Sequence, residues 1–235
     1  MSWLVKSSIG RKVVMSVTGL ALILFLTFHM SMNLVALFSG EAYNMICEFL
    51  GANWYALVAT VGLAALFIAH IVYAFILFYQ NKKARGNDPY AVPNRPRGIE
   101  WASQNMLALG VVVLGGLFLH MYHFWAKMQL VEIMGHHSST LADGTVISPT
   151  DGAALIQYTF NSPVNLVLYL VWLCAIWFHL THGFWSALQT IGWNNTLWQK
   201  RLEKASNIYS TVIVLGFAVV IVYYYLASLG VVPMP

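Results

Sequence analysis

The chain has 235 residues, of which 59% are hydrophobic and only 9% are charged. Its mean hydropathy is +0.68, and so few charged side chains cannot cover a water-facing surface of this size, which excludes an ordinary water-soluble domain. The net charge of +4 does not indicate nucleic acid binding, because the basic residues flank apolar segments without an aromatic–basic motif.

Five apolar segments follow one another along the chain, and each is long enough to cross a lipid bilayer as a helix. About 20 helical residues span the hydrocarbon layer. The sequence therefore predicts an all-α integral membrane bundle that forms a single membrane domain over residues 1–235, and we expect no cleaved signal peptide. The five transmembrane helices are expected near 13–38, 54–80, 100–127, 162–191 and 205–230.

Lysine and arginine residues cluster at alternate ends of these segments, and only Lys127 lies at the opposite ends. By the positive-inside rule the N-terminus is cytoplasmic and the C-terminus is outside. The inner loop 86–97 is broken by prolines, whereas 136–150 is the longest outer loop. The basic residues expected on the inner side are Lys6, Arg11, Lys12, Lys82, Lys83, Arg85, Arg95, Arg97, Lys200, Arg201 and Lys204.

Six of the eight histidines fall inside the predicted helices, where ionisable groups are costly and usually mark function. His29 and His120 lie toward the outer ends of the first and third helices. The second and fourth helices run the opposite way, so His70 and His179 lie toward the cytoplasm. The sequence therefore predicts two histidine pairs at two depths.

Two neutral imidazoles that face each other from neighbouring helices can occupy both axial positions of a haem iron. Zinc is less well served, because it needs three or four clustered ligands and no Asp or Glu lies within the apolar segments. Two other interpretations stay open. A single intramembrane histidine can serve as a hydrogen-bonding group between helices, and a histidine-lined membrane transporter would also place histidines here.

His123 and His182 each follow a paired histidine by three residues and share nearly the same helix face. Spacing alone does not choose between His120 and His123, or between His179 and His182. The unchosen histidines are alternative ligands, or hydrogen-bonding partners for a haem propionate, a backbone carbonyl or a quinone.

The outer loop that follows the His29 helix holds two carboxylates, Glu41 and Glu48. Either could exchange protons with a quinone bound beside the outer haem, because a partly desolvated carboxylate is a competent proton acceptor. A solvated loop charge is the alternative for both. His136 and His137, in the next outer loop, are expected to be solvated.

Three stretches carry a resemblance to a known family: "SVTGLALILFLTFHMSMNLV" around His29, "FIAHIVYAFILFY" around His70, and "FHLTHGFWSALQTIGW" from Phe178. With the five helices in this order, the chain resembles the di-haem cytochrome b membrane anchor of type B succinate:quinone oxidoreductases, which include the fumarate reductases. The resemblance implies two b haems, one held from helices one and three and the other from helices two and four.

The resemblance also selects between the neighbouring histidines. The family pattern looks like His-x-Ser/Thr-x-Gly-aromatic with the first histidine as ligand, and Thr181 and Gly183 fall in place if that ligand is His179 rather than His182. In the third helix, the stretch from Trp101 keeps family-like spacing to His120 rather than to His123.

The family implies the partners and the location of this chain. It implies a flavoprotein subunit and an iron–sulfur subunit on the cytoplasmic side of a bacterial cytoplasmic (inner) membrane, and a quinone substrate, often menaquinone. The flavoprotein would interconvert succinate and fumarate, and the heterotrimer could pair into a dimer. Glu48 in "ICEFLGAN" is the counterpart of a family glutamate at the quinone site, whereas Trp177 stands where some members carry another glutamate.

The expected route of electrons connects an iron–sulfur cluster docked at the basic inner loops, the His70/His179 haem, the His29/His120 haem and a quinone near Glu48. The direction of transfer is left open. The alternative of the same chemical class is the cytochrome b subunit of another quinone-linked oxidoreductase, such as a nitrate reductase or a hydrogenase.

Four basic residues near the inner ends of the helices are candidate partners for the propionates of the inner haem. Anchoring of the helices at the membrane surface is the alternative role for all four. They are Arg11, Lys12, Arg97 and Lys200.

Overall fold

The computed structural model describes residues 2–85, 101–193 and 195–235. The predicted inner loop 86–97, with the propionate candidate Arg97, lies outside the described residues, as does residue 100, where the third helix was expected to begin.

Helices dominate the described part of the chain. The one sheet there is a hairpin of two antiparallel strands, each two residues long. In chain order the elements are α1 (Ser2–Lys6), α2 (Ser8–Val35), α3 (Gly40–Phe49), α4 (Trp54–Arg85), α5 (Trp101–Gln104), α6 (Met106–His120), a π-helical turn (Met121–Trp125), α7 (Gln129–Ile133), β1 (Ser139–Thr140), β2 (Val146–Ile147), α8 (Gly152–Phe160), α9 (Pro163–Thr190) and α10 (Gln199–Ser228).

Five helical segments are long and apolar enough to cross a membrane: α2, α4, α6 with its π-helical turn, α9 and α10. The prediction of an all-α membrane bundle with five spanning helices is confirmed, and the chain is a multi-pass membrane protein. The main differences between the expected and observed helix bounds arise because an apolar segment indicates the part of a helix inside the hydrocarbon layer, not where the helix begins or ends. For example, α10 begins at Gln199 and carries its basic first turns beyond the apolar segment.

Polar side chains define several helix starts. Ser7 accepts a hydrogen bond from the Gly10 amide at 2.9 Å, which starts α2 earlier than its apolar residues indicate. Asp151 caps α8 in the same way, by accepting from the Ala154 amide at 3.0 Å. Helices α3, α7 and α8 lie in segments that the sequence predicted only as outer loops.

Four of the spanning helices form a ring. Helix α2 packs against α4 and α9, and α6 packs closely against α9 but only loosely against α4. The helices α2 and α6 therefore occupy diagonal corners of the ring, as do α4 and α9. The fifth spanning helix, α10, packs outside the ring against α9 and α2.

Small buried residues let α9 and α10 approach closely. Ser206 and Ser210 on α10 are fully buried, and the Ser206 hydroxyl lies 2.8 Å from the Thr181 carbonyl and 3.2 Å from the Leu180 carbonyl, so its hydrogen is directed to the backbone of α9. Close packing of small residues and interhelical hydrogen bonds are the usual means of association between helices in lipid.

The two ends of the bundle differ in charge. We call them the basic end, where α2 and α10 begin and α4 and α9 finish, and the acidic end, which carries α3, α7, α8 and the β-hairpin. The described basic residues at the basic end include Lys6, Arg11, Lys12, Lys82, Lys83, Lys200, Arg201 and Lys204. The acidic end holds Glu41, Glu48, Glu132, Asp143 and Asp151, together with Lys127.

A pair of adjacent glycines in α6 tests the packing of α6 on α9. A Cβ atom on Gly116 would overlap the indole ring of Trp172, whereas a Cβ on Gly115 would meet nothing within 4 Å. The indole is held in place, because its Nε1 donates to the Val113 carbonyl at 2.9 Å. We expect Gly116→Ala to lower the free energy of unfolding by about 1–3 kcal/mol.

The matched control is Gly115→Ala, which fills open space and gains helix propensity, so its stability should equal or exceed that of the wild type. Apparent melting temperatures of the detergent-purified proteins measure both. If Gly116→Ala had the same apparent melting temperature as Gly115→Ala, the close contact between Gly116 and Trp172 would be contradicted.

Candidate functional site

The first histidine pair lies toward the acidic end and joins α2 to α6. The ring centroids of His29 and His120 are 5.7 Å apart, and the ring planes are inclined by 80°. Phe25 stacks on His29 at 5.5 Å, and Trp172 packs against His120 at 5.7 Å. The two imidazoles therefore approach each other inside an aromatic, water-poor environment.

The second pair lies toward the basic end and joins α4 to α9. The ring centroids of His70 and His179 are 6.4 Å apart, and the ring planes are inclined by 63°. Thr18 of α2 lies beside this pair, with its Oγ1 atom 3.2 Å from Nδ1 of His70. His179 Nδ1 is buried without a hydrogen-bond partner among the described residues.

Both pairs connect diagonal helices of the ring rather than neighbouring ones, which corrects the expectation from the sequence. Depth along a helix follows from residue spacing, but the lateral order of the helices does not. Helices α2 and α6 run in the same direction because two crossings separate them, and so do α4 and α9. A diagonal pair points into the centre of a four-helix ring, where such bundles hold their cofactors.

The spacing of each pair fits two axial ligands on one iron. A metal–imidazole bond is about 2 Å long, so ligating nitrogens on opposite sides of one metal are about 4 Å apart. Each ring centroid lies about 1 Å behind its nitrogen, which gives a centroid separation of about 6 Å. The observed separations of 5.7 and 6.4 Å lie on either side of this value.

The backbone beside the basic-end pair leaves room for a bound group at the rings. Glycines border the rings. A Cβ on Gly19 of α2 would lie 3.3 Å from Cε1 of His70, and one on Gly110 of α6 would lie 3.8 Å from Cε1 of His179. The side chains present therefore fit a haem at this pair.

The neighbouring histidines have other contacts. His123 stacks on Tyr169, and its Nδ1 lies 3.2 Å from the Tyr169 hydroxyl. The π-helical turn begins immediately after His120, with the Ala126 amide donating to the Met121 carbonyl at 2.8 Å, so His123 is offset from the position that a regular α-helix would give it. His182 packs edge-on against Trp185 at 5.1 Å.

A cleft of about 810 Å³ opens at the acidic end. The predicted proton-exchange residue Glu48 lines it, and the exposed His136 and His137 lie at its border. Glu41 lines a smaller cleft together with Glu48. The residues around the larger cleft are Met45, Glu48, Phe49, Ala52, Asn53, Tyr55, Glu132, Gly135, His136, His137, Ser148, Pro149 and Thr150.

The cleft contains a second carboxylate, Glu132, to which the sequence reasoning assigned no role. Burial raises the pKa of Glu132, and the negative charge of Glu48 raises it further, whereas a hydrogen bond from the Ala52 amide acts in the opposite direction. The acidic residues are far apart in sequence, so only the folded arrangement of α3 and α7 reveals the pair.

Buried Gln129 fixes α7 in this position. Its Nε2 donates to the Gly51 carbonyl at 2.9 Å, and its Oε1 accepts from Thr60 at 3.0 Å and from Trp125 at 2.9 Å. These bonds join α7 to the start of α4 and to the π-helical turn. The wall of the cleft that carries Glu132 is therefore tied to the helix that carries His120.

Other sequence candidates lie away from the ring centre. Lys12 and Lys200 are exposed at the basic end. Arg11 is partly buried there, and its guanidinium donates to the Lys6 carbonyl at 3.4 Å. Trp177 faces α10, because its Nε1 donates to Thr211 at 3.0 Å.

Among the residues that the structure describes, no three or more His, Cys, Asp or Glu side chains are grouped so that they could hold a single metal ion. Comparisons of the chain with protein-family models, with curated proteins and with solved structures found no match.

The raised pKa of Glu132 predicts a pH-dependent stability difference. A carboxyl group with a raised folded-state pKa stabilises the fold at low pH, and this contribution is lost as the pH rises through that pKa. We expect the melting temperature of Glu132→Gln to exceed that of the wild type by an increasing margin as the pH rises from about 4 to about 8. Thermal melts across this range measure the margin.

Asp143 provides a control of opposite sign. Hydrogen bonds from Thr145 lower the pKa of this exposed carboxyl, so its contribution is present at neutral pH and lost as the pH falls. Asp143→Asn should therefore melt below the wild type at neutral pH and converge with it in acid. A Glu132→Gln margin that shrinks with rising pH would contradict the assignment.

Proposed function

We propose that this chain is the di-haem cytochrome b membrane anchor of a succinate:quinone oxidoreductase or fumarate reductase. Its task would be to pass electrons between a membrane quinone, in particular menaquinone, and an iron–sulfur subunit. The observation that carries the proposal is the presence of two histidine pairs, at two depths of one helical ring, with ring separations of 5.7 and 6.4 Å.

Each histidine pair would hold one haem. His29 and His120 would hold the haem nearer the acidic end, and His70 and His179 the haem nearer the basic end. When bound, the haems supply one-electron redox chemistry, whereas the protein tunes them through its ligands, burial and hydrogen bonds. Aromatic side chains such as Phe25 and Trp172 keep water away from the imidazoles.

The distribution of charge supports an orientation. By the positive-inside rule the basic end would face the cytoplasm of a bacterium and the acidic end the outside of its inner membrane. The basic end would then meet the iron–sulfur subunit, which in turn binds the flavoprotein that interconverts succinate and fumarate. A dimer of this heterotrimer belongs to the same proposal.

The cleft at the acidic end would receive the quinone head group. Glu48 lines this cleft, and a carboxylate there would take a proton when a quinol is oxidised or return one when a quinone is reduced. Its position at the end of the molecule that carries the His29/His120 pair keeps proton exchange close to the outer haem.

Replacement of single histidines tests the haem assignment. We expect His70→Ala or His179→Ala to remove one haem, and His29→Ala or His120→Ala to remove the other, because each would lose one axial ligand. Reduced-minus-oxidised absorption spectra and haem content per chain measure the loss in purified protein.

The controls are the histidines outside the two pairs. His136→Ala should keep both haems because this residue is exposed in a loop, and His123→Ala should keep both because its ring contacts Tyr169. Loss of the outer haem from His123→Ala, with retention in His120→Ala, would overturn the assignment in α6. A wild-type protein without b-type absorption would favour the alternative function of a histidine-lined membrane transporter.

The role of Glu48 is tested in the intact complex with its attached subunits. We expect Glu48→Gln to lower quinone-linked turnover by about 100-fold, because general acid–base groups contribute about that much or more, while chemical reduction of both haems stays normal. Glu41→Gln is the matched control and should keep its turnover. Unchanged turnover in Glu48→Gln would remove this residue from the mechanism.

The identity of the co-purifying subunits separates the proposed complex from other quinone-linked enzymes. A flavoprotein and an iron–sulfur protein with succinate dehydrogenase or fumarate reductase activity support the proposal. A nitrate reductase or hydrogenase module would leave the two haems in place and replace the proposed partners.

A further inference from the structure

Thr18 lies on α2, the helix that carries His29, but its side chain contacts the histidine of the other pair. Its Oγ1 atom is 3.2 Å from Nδ1 of His70 on α4. Thr18 is buried, with 6% of its surface exposed, so water does not compete for this contact. The hydrogen-bonding directions of both groups follow from the atoms around them.

The threonine hydroxyl directs its hydrogen to its own helix. Thr18 Oγ1 lies 2.9 Å from the Val14 carbonyl and 3.0 Å from the Met15 carbonyl, and each of these oxygens can only accept. The hydroxyl has a single hydrogen, so its lone pairs are what it offers to His70.

The donor in the contact between Thr18 and His70 is therefore the histidine. A neutral imidazole carries one N–H, and here that hydrogen must lie on Nδ1. Nε2 of His70 then carries the lone pair that ligates a metal.

Gly19 leaves room for the imidazole ring of His70 beside α2. A Cβ atom at this position would lie 3.3 Å from Cε1 of His70, so the glycine lets the imidazole approach the backbone of α2 closely enough to reach Thr18. The sequence Thr18–Gly19 thus provides both the acceptor and the space.

We infer that Thr18 is a positioning residue, which fixes the tautomer and orientation of His70 and thereby lowers the redox potential of the haem at the basic end. The inference rests on the proposed function, because it takes His70 as an axial ligand. A hydrogen bond from the far nitrogen of a ligating histidine makes the ligand more basic, and a more basic ligand favours ferric over ferrous iron.

Two of the other paired histidines, His179 and His29, lack an equivalent acceptor at Nδ1. Nδ1 of His179 has no partner among the described residues. Nδ1 of His29 faces the amide nitrogen of Asn33 at 3.4 Å, and that nitrogen donates to the His29 carbonyl at 2.8 Å. The Thr18 contact therefore distinguishes His70 from both His179 and His29.

The test is a redox titration of the complex purified with its attached subunits, followed by the b-type absorption bands. Thr18→Val keeps the size of the side chain and removes the acceptor, and Thr18→Ala removes it without the added methyl group. We expect both variants to move one of the two titration waves to higher potential and to leave the other in place. Thr18→Ser keeps the hydroxyl and should titrate like the wild type.

Thr27→Val is the matched control on the same helix. The Thr27 hydroxyl also bonds its own helix, at the Ile23 carbonyl 2.8 Å away, but its side-chain contact is Tyr209 rather than a histidine. This variant should keep both potentials. Loss of one haem from Thr18→Val and Thr18→Ala, with both haems retained in Thr18→Ser and Thr27→Val, would support the same positioning role.

The inference falls if Thr18→Val and Thr18→Ala bind two haems with wild-type potentials, or if Thr27→Val produces the same shift. In both cases the proposed function stands, because the haems are present. A wild-type protein without haem would instead overturn the proposed function itself, so the two failures are distinguishable.

Discussion

The structure depends on how polar groups are satisfied inside hydrocarbon. Water is absent there, so each imidazole must find its partners within the protein or in a bound group. Thr18 is such a partner for His70 and Tyr169 for His123, whereas Nδ1 of His179 has no partner among the described residues. Four intramembrane histidines thus lie opposite one another across the ring of helices instead of pointing toward lipid.

The spanning helices differ in how closely they pack against one another. Close contacts join α9 to α10, α2 and α6. Small residues lie at two of these contacts, Ser206 of α10 and Gly116 of α6. The diagonal pairs meet mainly through side chains, which keeps the centre of the ring for the histidines. Helix α10 carries no histidine and supports α9 and α2 from outside.

The sequence predicted the parts that depend on composition and period. Apolar length identified the five spanning helices, and residue spacing placed His29 with His120 and His70 with His179 at matching depths. It did not predict the diagonal arrangement, the π-helical turn after His120, or the pairing of Glu132 with Glu48 across the cleft. Each of these depends on contacts between segments distant in the chain, or on a change of one hydrogen-bond register, which leaves no periodic pattern.

The chain order of the four ring helices sets the order in which the two sites can be completed during synthesis. His29 on α2 meets its partner as soon as α6 has entered the membrane, whereas His70 on α4 must wait for α9, which follows α7, the β-hairpin and α8 in the chain. The contacts of His70 with Thr18 and Gly19 involve only helices that are made before α9. A nascent chain halted between α6 and α9 would therefore hold one finished pair and one half-built site whose single ring can already contact α2.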